Sequence, residues 1–368
     1  MPPVYARPRG VGYKRRVQLD LHRHLEGSHS AAALAAVAAD LDVRTPPCFD
    51  TAAGRLRTAA ELTPLTTVAG PSDDPAAFYA CIVAGRSLYV SVDAIAALAE
   101  RAMREAVVDS PDGCELRLSL FSMARTLLEH QGHAWRQVAP AAFAREAAQP
   151  ILAAVIAARA RVVAATGVPV LLRLGLSRTF ESDAHYQALV PVVREHAASL
   201  VGLDVLGIVA GPDREPLPAA MRAIVDALRA DLPDLTIHAG EFAGADSVAR
   251  TLALTPQALG HGVRSLDDPA VVERLVASGV VLEVCPTSNR LLIPSAVAAL
   301  EAAHGATPLA ALQRAGVRCV LGSDDPEPLA TSYRAERALA ASLGVDLARL
   351  DRDSAARWAA LRALAREA

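Results

Sequence analysis

The chain is 368 residues long, 52% hydrophobic and 21% charged, with a formal net charge of -3; this balance supports a large packed core and argues against a disordered polymer. Basic residues are scattered along it, so it lacks the concentrated charge of a nucleic-acid binder. Cys48, Cys81, Cys114, Cys285 and Cys319 form no CxxC pair, which argues against a disulfide framework or a thiolate zinc site and leaves any metal to histidine and carboxylate.

In chain order, residues 1–16 hold Arg7, Arg9, Lys14, Arg15 and Arg16 with no apolar core after them, so no secretion signal is expected. A first strand is predicted over 17–24. The stretch 41–93, rich in Pro, Thr and Asp and turned at Gly70-Pro71-Ser72-Asp73-Asp74-Pro75, is too long for an ordinary connection and is expected to form helices or a lid. A helix at 93–108 leads to strand 114–120, one at 142–165 to strand 169–177, and one at 184–200 to strand 201–207. Helix 216–230 precedes strand 235–241, helix 247–254 precedes strand 258–262, and helix 269–278 precedes strand 280–286. Strand 318–324 is followed by closing helices at 332–343 and 346–365.

Eight strands alternating with helices predict an α/β fold of the (β/α)8 TIM-barrel type, one domain over 1–368 with 41–93 as a lid on the substrate pocket; barrels of this kind start at roughly 250 residues and grow by insertion. An open doubly wound sheet is the alternative. That fold usually carries a glycine-rich phosphate loop after its first strand, and Leu25-Glu26-Gly27-Ser28 is not GxGxxG. The most apolar window, 151–163, is broken by Arg159 and Arg161, so no membrane span is expected and a cytoplasmic location follows.

The chemistry gathers at predicted strand ends. Alternation puts His22 and His24 on one face of the first strand, with Leu19 and Leu21 on the other. Such an HxH pair suits a divalent metal, although two histidines on a surface strand would carry little meaning by themselves. His238, His261 and the pair Asp324-Asp325 fall at the carboxyl ends of later strands, the face where barrel enzymes build their sites. Imidazoles and a carboxylate suit zinc or iron and can lower the pKa of a bound water toward ~7. Glu241, three residues beyond His238, reads either as an acid reaching substrate or as a carboxylate stabilised by helix-start amides. His261 reads either as a satisfied core histidine or as a group brought into a crowded centre by Gly260 and Gly262.

From Asp20 to about Tyr333 the chain resembles the adenosine/adenine deaminase family of the amidohydrolase superfamily. The resemblance rests on Asp20-Leu21-His22-Arg23-His24-Leu25-Glu26-Gly27-Ser28, Glu115-Leu116-Arg117, Leu176-Ser177-Arg178-Thr179-Phe180, His238-Ala239-Gly240-Glu241, Gly260-His261-Gly262, Cys285-Pro286-Thr287-Ser288-Asn289 and Ser323-Asp324-Asp325-Pro326, in the family's order. It implies that His22, His24, His238 and Asp324 bind one zinc, or another divalent ion in its place. It also implies that Glu241 protonates the ring nitrogen beside the attacked carbon, that His261 orients and deprotonates the water, and that Asp325 hydrogen-bonds the purine. His24, Glu26, Arg178 and Gly207 are the further substrate contacts it implies, Glu26 near the sugar hydroxyls and Gly207, or by second choice Gly211, at the base. Phe78 and Tyr79 are candidate wall residues of the lid.

The activity this predicts is metal-dependent hydrolytic deamination of an adenosine-like 6-aminopurine nucleoside; free adenine or a modified aminopurine nucleoside is the alternative. The partner expected is that small molecule, without nucleic acid or membrane, and a homo-oligomer stays open. Three competitors are weaker. The HxE…PCxxC deaminase pattern stops at Pro47-Cys48, which has no second cysteine. A binuclear hydrolase needs a bridging residue, for which Glu115 is the only candidate. A silent binding barrel would have no need of Glu241 or His261.

Overall fold

The computed structural model describes residues 17–179 and 182–365; the basic segment 1–16 and Phe180 lie outside them. Eight parallel strands form one sheet in sequential order: β1 (Leu19–His24), β2 (Gly113–Leu118), β3 (Val170–Ser177), β4 (Gly202–Leu206), β5 (Asp234–Ala239), β6 (Ala258–His261), β7 (Val281–Val284) and β8 (Arg318–Leu321). A parallel bridge between Arg23 and Asp324 joins the last strand to the first; His24 N–H donates to Asp324 O at 2.7 Å and Asp324 N–H to His22 O at 2.8 Å. The result is the (β/α)8 barrel, closed just where the site residues of β1 and β8 meet.

The helices are α1 (Ala31–Asp40), α2 (Ala59–Thr66), α3 (Ala76–Gly85), α4 (Val92–Asp109), α5 (Leu120–His130), α6 (Gln149–Thr166), α7 (Asp183–Glu195), α8 (Ala219–Leu228), α9 (Ala245–Leu252), α10 (Pro269–Ser278), α11 (Pro286–Leu292), α12 (Pro294–His304), α13 (Pro308–Arg314), α14 (Tyr333–Ser342) and α15 (Leu347–Leu364). Leucine and valine from the strands and one stripe of each outer helix make a continuous apolar cluster, for example Leu116, Leu172, Leu203 and Ile237 against Leu98, Val155 and Ile224. Burying each such side chain contributes roughly 1.5–3 kcal/mol, and this layer holds the barrel. A smaller cluster gathers Leu19, Leu171, Val201, Ala258 and Val281, at the starts of five strands, with Leu361 and Trp358 of α15.

Two expectations shift. The strand predicted to reach 324 ends at Leu321, because Asp324 takes a left-handed φ of 61° and turns back onto β1. The helical run Pro140–Thr166 is long and apolar enough for a membrane span, which the arginine interruptions had argued against. Its apolar side is used within the protein: it lies against α4, with Ile151, Leu152, Val155, Ala158 and Val162 fully buried. Helices α1, α5, α11, α12 and α13 also went unpredicted.

Within 41–93 the chain forms a short antiparallel ribbon, Phe49–Asp50 with Arg55–Leu56, then α2 and α3. Helix α2 starts on a capping box in which Thr58 and Glu61 satisfy each other's exposed amides. Helix α3 is apolar on every side; Phe78 and Ile82 pack on Leu292 and Leu329, beyond the carboxyl ends of the strands.

Candidate active site

Residues carried to the carboxyl ends of three strands, β1, β5 and β8, converge. One side-chain ligand atom from each of His22, His24, His238 and Asp324 lies within 4.8 Å of the other three. Asp324 Oδ1 is 3.2 Å from His24 Nε2 and 3.6 Å from His22 Nε2. Three imidazole nitrogens and a carboxylate oxygen around one point suit a divalent ion that prefers mixed nitrogen and oxygen donors.

The inner nitrogens of two ligands are already engaged. His22 Nδ1 is 3.0 Å from Glu283 Oε2, and His238 Nδ1 is 3.0 Å from Asp204 Oδ1. With the Nδ1 protons directed at these carboxylates, both Nε2 lone pairs are free for a cation, the usual arrangement behind metal-bound histidine. Arg117 ties the two supporting acids together, donating to Asp204 at 2.9 Å and to Glu283 at 3.0 Å; it also lies 2.7 Å from His22 Nδ1. Gly260 makes room for this packing: a Cβ there would lie 2.9 Å from atoms of both His22 and His238.

Around this set lies a cavity of about 90 Å³ whose wall includes His24, Glu26, Phe78, Tyr79, Arg86, Ser119, Gly207, Glu241, His261, Asp324 and Asp325. Burial raises the Glu241 carboxyl well above its ordinary range, and the charges of Asp324, Glu215 and Asp325 push it further. A carboxyl raised in this way keeps its proton to higher pH than an ordinary one, as a proton donor must. Asp325 is pushed up to about 7, first by burial and then by Asp324 and Glu26, with His24 opposing. Asp324 is held well below the usual carboxylate range: burial would raise it, and the neighbouring His22, His24 and His261 imidazoles outweigh that.

His261 is buried, adopts a φ of 60° and is kept neutral, since burial drives its pKa well below normal. The Asn289 side-chain amide holds its Nδ1 at 3.0 Å, and its Nε2 faces Glu241 Oε2 at 3.4 Å. A non-glycine residue in the left-handed region costs of order 1–3 kcal/mol. His261 and Asp324 both hold that conformation in the wall of the cavity.

Several expected contacts are placed differently from one another. Glu26 lines the cavity with Oε1 accepting Ser119 N–H at 2.8 Å. Gly207 lines it too, whereas Gly211 has no neighbour within 4 Å of where a side chain would start and is outside the wall. Phe78 and Tyr79 form part of the wall from α3. Arg178 is the correction. Expected at the substrate, it is buried, is absent from the cavity wall and donates to the carbonyls of Gly207 (3.1 Å), Pro216 (3.1 Å), Val205 (3.5 Å) and His238. Glu115 is no bridging ligand either; it pairs with Arg117 and Arg173 inside the barrel.

Sequence reasoning missed Asp204, Glu283, Asn289 and Glu215. Asp204 and Glu283 had a legible signal, a lone acid inside an apolar strand, which is costly unless paired. Glu215 had none. From a loop residue, its carboxylate accepts the N–H groups of Gly240 (2.8 Å), Glu241 (3.0 Å), Phe242 (2.8 Å) and Ala243 (3.3 Å) and the Ser247 hydroxyl (2.5 Å), fixing the backbone that presents Glu241.

A closed parallel barrel with three histidines and an aspartate clustered at its mouth, carboxylates behind the histidines and a buried acid beside them defines the class of the barrel amidohydrolases. Residues 18–362 match a family model described as adenosine deaminase, and the chain belongs to that family. It is 52% identical over 108 residues to an adenine deaminase of Agrobacterium fabrum, a stretch covering 29% of this chain and 31% of that one. Other adenine deaminases match over up to 48% of their length, so the chain aligns with less than half of these curated relatives. Among solved structures it resembles adenine deaminase from Arthrobacter aurescens, with a TM-score of 0.70 and 22% identity, covering 96% of this chain and 98% of that one. It also resembles an amidohydrolase from Burkholderia ambifaria solved with bound Zn, with a TM-score of 0.69 and 16% identity, covering 96% and 94%. At these identities the two structures speak to the fold.

Proposed function

We propose that the chain hydrolytically deaminates a 6-aminopurine, with adenine as the minimal substrate, converting it to the 6-oxopurine and ammonia. The names of the curated relatives support the base over the adenosine-like nucleoside first expected. One observation carries the chemistry: Glu241, its carboxyl raised well above the ordinary range by burial, borders the same small cavity as His24, His238 and Asp324 of the four-residue cluster.

His22, His24, His238 and Asp324 would hold the ion, for which zinc is our assignment from the donor set. Bound there, the ion supplies Lewis acidity that lets water act as a nucleophile at neutral pH. Glu241 donates a proton to the ring nitrogen next to the amino-bearing carbon, which makes that carbon electrophilic. Neutral His261, held by Asn289, orients the attacking water and takes up a proton. Asp325 and the backbone at Gly207 hold the ring. Water's oxygen ends on the carbon, the proton taken up by His261 passes to the amino group, which leaves as ammonia, and Glu241 regains its proton from the new hydroxyl as that becomes the 6-oxo group. Phe78, Ile82 and Leu292 exclude bulk water from the cavity.

The test is ammonia release, with the accompanying ultraviolet shift, when zinc-loaded protein meets adenine, adenosine and related 6-aminopurines. Turnover of adenine is the expected outcome. Metal-loaded protein inert toward every aminopurine tried would overturn the reading.

A further inference from the structure

Arg86 is not used by this chemistry. It caps the end of α3, its N–H donating to the carbonyls of Ile82 and Val83. Its side chain lines the active-site cavity beside Glu26 and Ser119, and also lines an outer groove of about 670 Å³ bordered by Pro46, Pro47, Leu65 and Val83. It thus stands where the cavity and the groove adjoin. Its Nε is buried without a partner, and among the described residues its guanidinium makes no hydrogen bond or ion pair.

Arg117 and Arg357 also keep a buried Nε without a partner, but the terminal nitrogens of both bind carboxylates. Arg117 and Arg173 bind carboxylates, Arg357 holds Asp234, and Arg178 holds four carbonyls. Arg86 is the only arginine or lysine in a wall that contains Glu26, Glu241, Asp324 and Asp325. One carboxylate of that wall, Glu26, accepts the Ser119 amide. A half-buried guanidinium without an acceptor is unfavourable, and its planar fork of donors fits phosphate or carboxylate oxygens. The half charge at the end of a short helix is a weak substitute for such an anion.

We infer that Arg86 forms a subsite for an anionic group, phosphate or carboxylate, on a substituent that runs from the aminopurine ring toward the outer groove. The inference rests on the deaminase reading and deepens it. Adenine fills the ring site alone, whereas an anionic aminopurine fills both sites.

The test compares kcat/KM of the zinc-loaded protein for adenine, adenosine, AMP and 9-(2-carboxyethyl)adenine, in the wild type, Arg86→Met and Arg86→Lys. An anionic member should exceed its neutral counterpart by about tenfold or more, carried by KM, as charge-assisted hydrogen bonds to a bound anion provide. Arg86→Met should bring that ratio to near unity, and Arg86→Lys should keep part of it. An advantage for AMP identifies phosphate, and one for the carboxyethyl compound identifies carboxylate. Calorimetric binding of the products hypoxanthine, inosine and IMP provides a readout independent of turnover, with thermal melting to confirm that the variants fold. No anionic advantage in either turnover or binding, or one that survives Arg86→Met, overturns the subsite. If nothing is deaminated but IMP binds through Arg86, the deaminase reading fails and the subsite stands.

Discussion

Two layers of the barrel hold the same kinds of acid in opposite states. Inside the barrel, Glu115, Asp204, Asp234 and Glu283 are paired with Arg117, Arg173 and Arg357. Burial would raise Asp204, Asp234 and Glu283, but the cations win and hold them below the usual carboxylate range. At the mouth, Glu241 and Asp325 have no arginine in contact, burial prevails, and both rise. What separates a supporting carboxylate from a proton donor here is a guanidinium or imidazole facing it strongly enough to outweigh burial, since all of these acids are buried.

The largest effect should follow from removing the donor. Glu241→Gln keeps shape and neutrality but cannot give up a proton, so kcat should fall by about 10²–10⁴-fold. Bound metal, measured by elemental analysis, should stay at the wild-type level. Equal turnover would show that the raised acid at the mouth is idle.

In the layer below, the cost should appear as lost folding. Arg173 donates to both oxygens of Glu115 and to Asp234. Arg173→Met leaves buried charge uncompensated and should cost about 3–5 kcal/mol in denaturant unfolding. Asp204→Asn should act on the metal instead, because it weakens the support of His238. A rise of about 10–100-fold in the metal dissociation constant is expected, read by competition with a chelator. Unchanged affinity would mean that His238 is held well enough by packing alone.

The barrel and its ligands were legible because both obey periods. Strands and helices alternate along the chain, and His22, His24, His238 and Asp324 occur where strands run out. The supporting residues obey no such period. Glu283 reaches His22 across 261 positions, and the Glu215 carboxylate reaches the 240–243 amides from a loop. Such pairs are created by closure of the barrel, and only a lone acid in an apolar strand hints at them in advance. Arg178 misled for the same reason. Its place in the family motif was read as contact with substrate, while its side chain is spent on backbone carbonyls.

The smallest effect tests the rule away from the site. Glu336 on α14 is buried and accepts from Thr287 N–H at 3.0 Å and the Thr331 hydroxyl at 2.5 Å, both neutral donors. Burial outweighs these hydrogen bonds and lifts it to about 7 from an ordinary 4.5. A carboxyl raised on folding contributes its stability below the unfolded value and loses it as pH climbs through the folded one. The wild type should therefore lose about 3 kcal/mol from this group between pH 4.5 and 8, since the gap between the two values is worth roughly 1.4 kcal/mol for each tenfold change in acidity. Glu336→Gln cannot ionise, so its stability relative to wild type should improve steadily across that window in urea unfolding. A difference between the two proteins that stays flat with pH would mean that hydrogen bonds from neutral donors suffice to keep a buried acid ionised, and the contrast between the two layers would lose its cause.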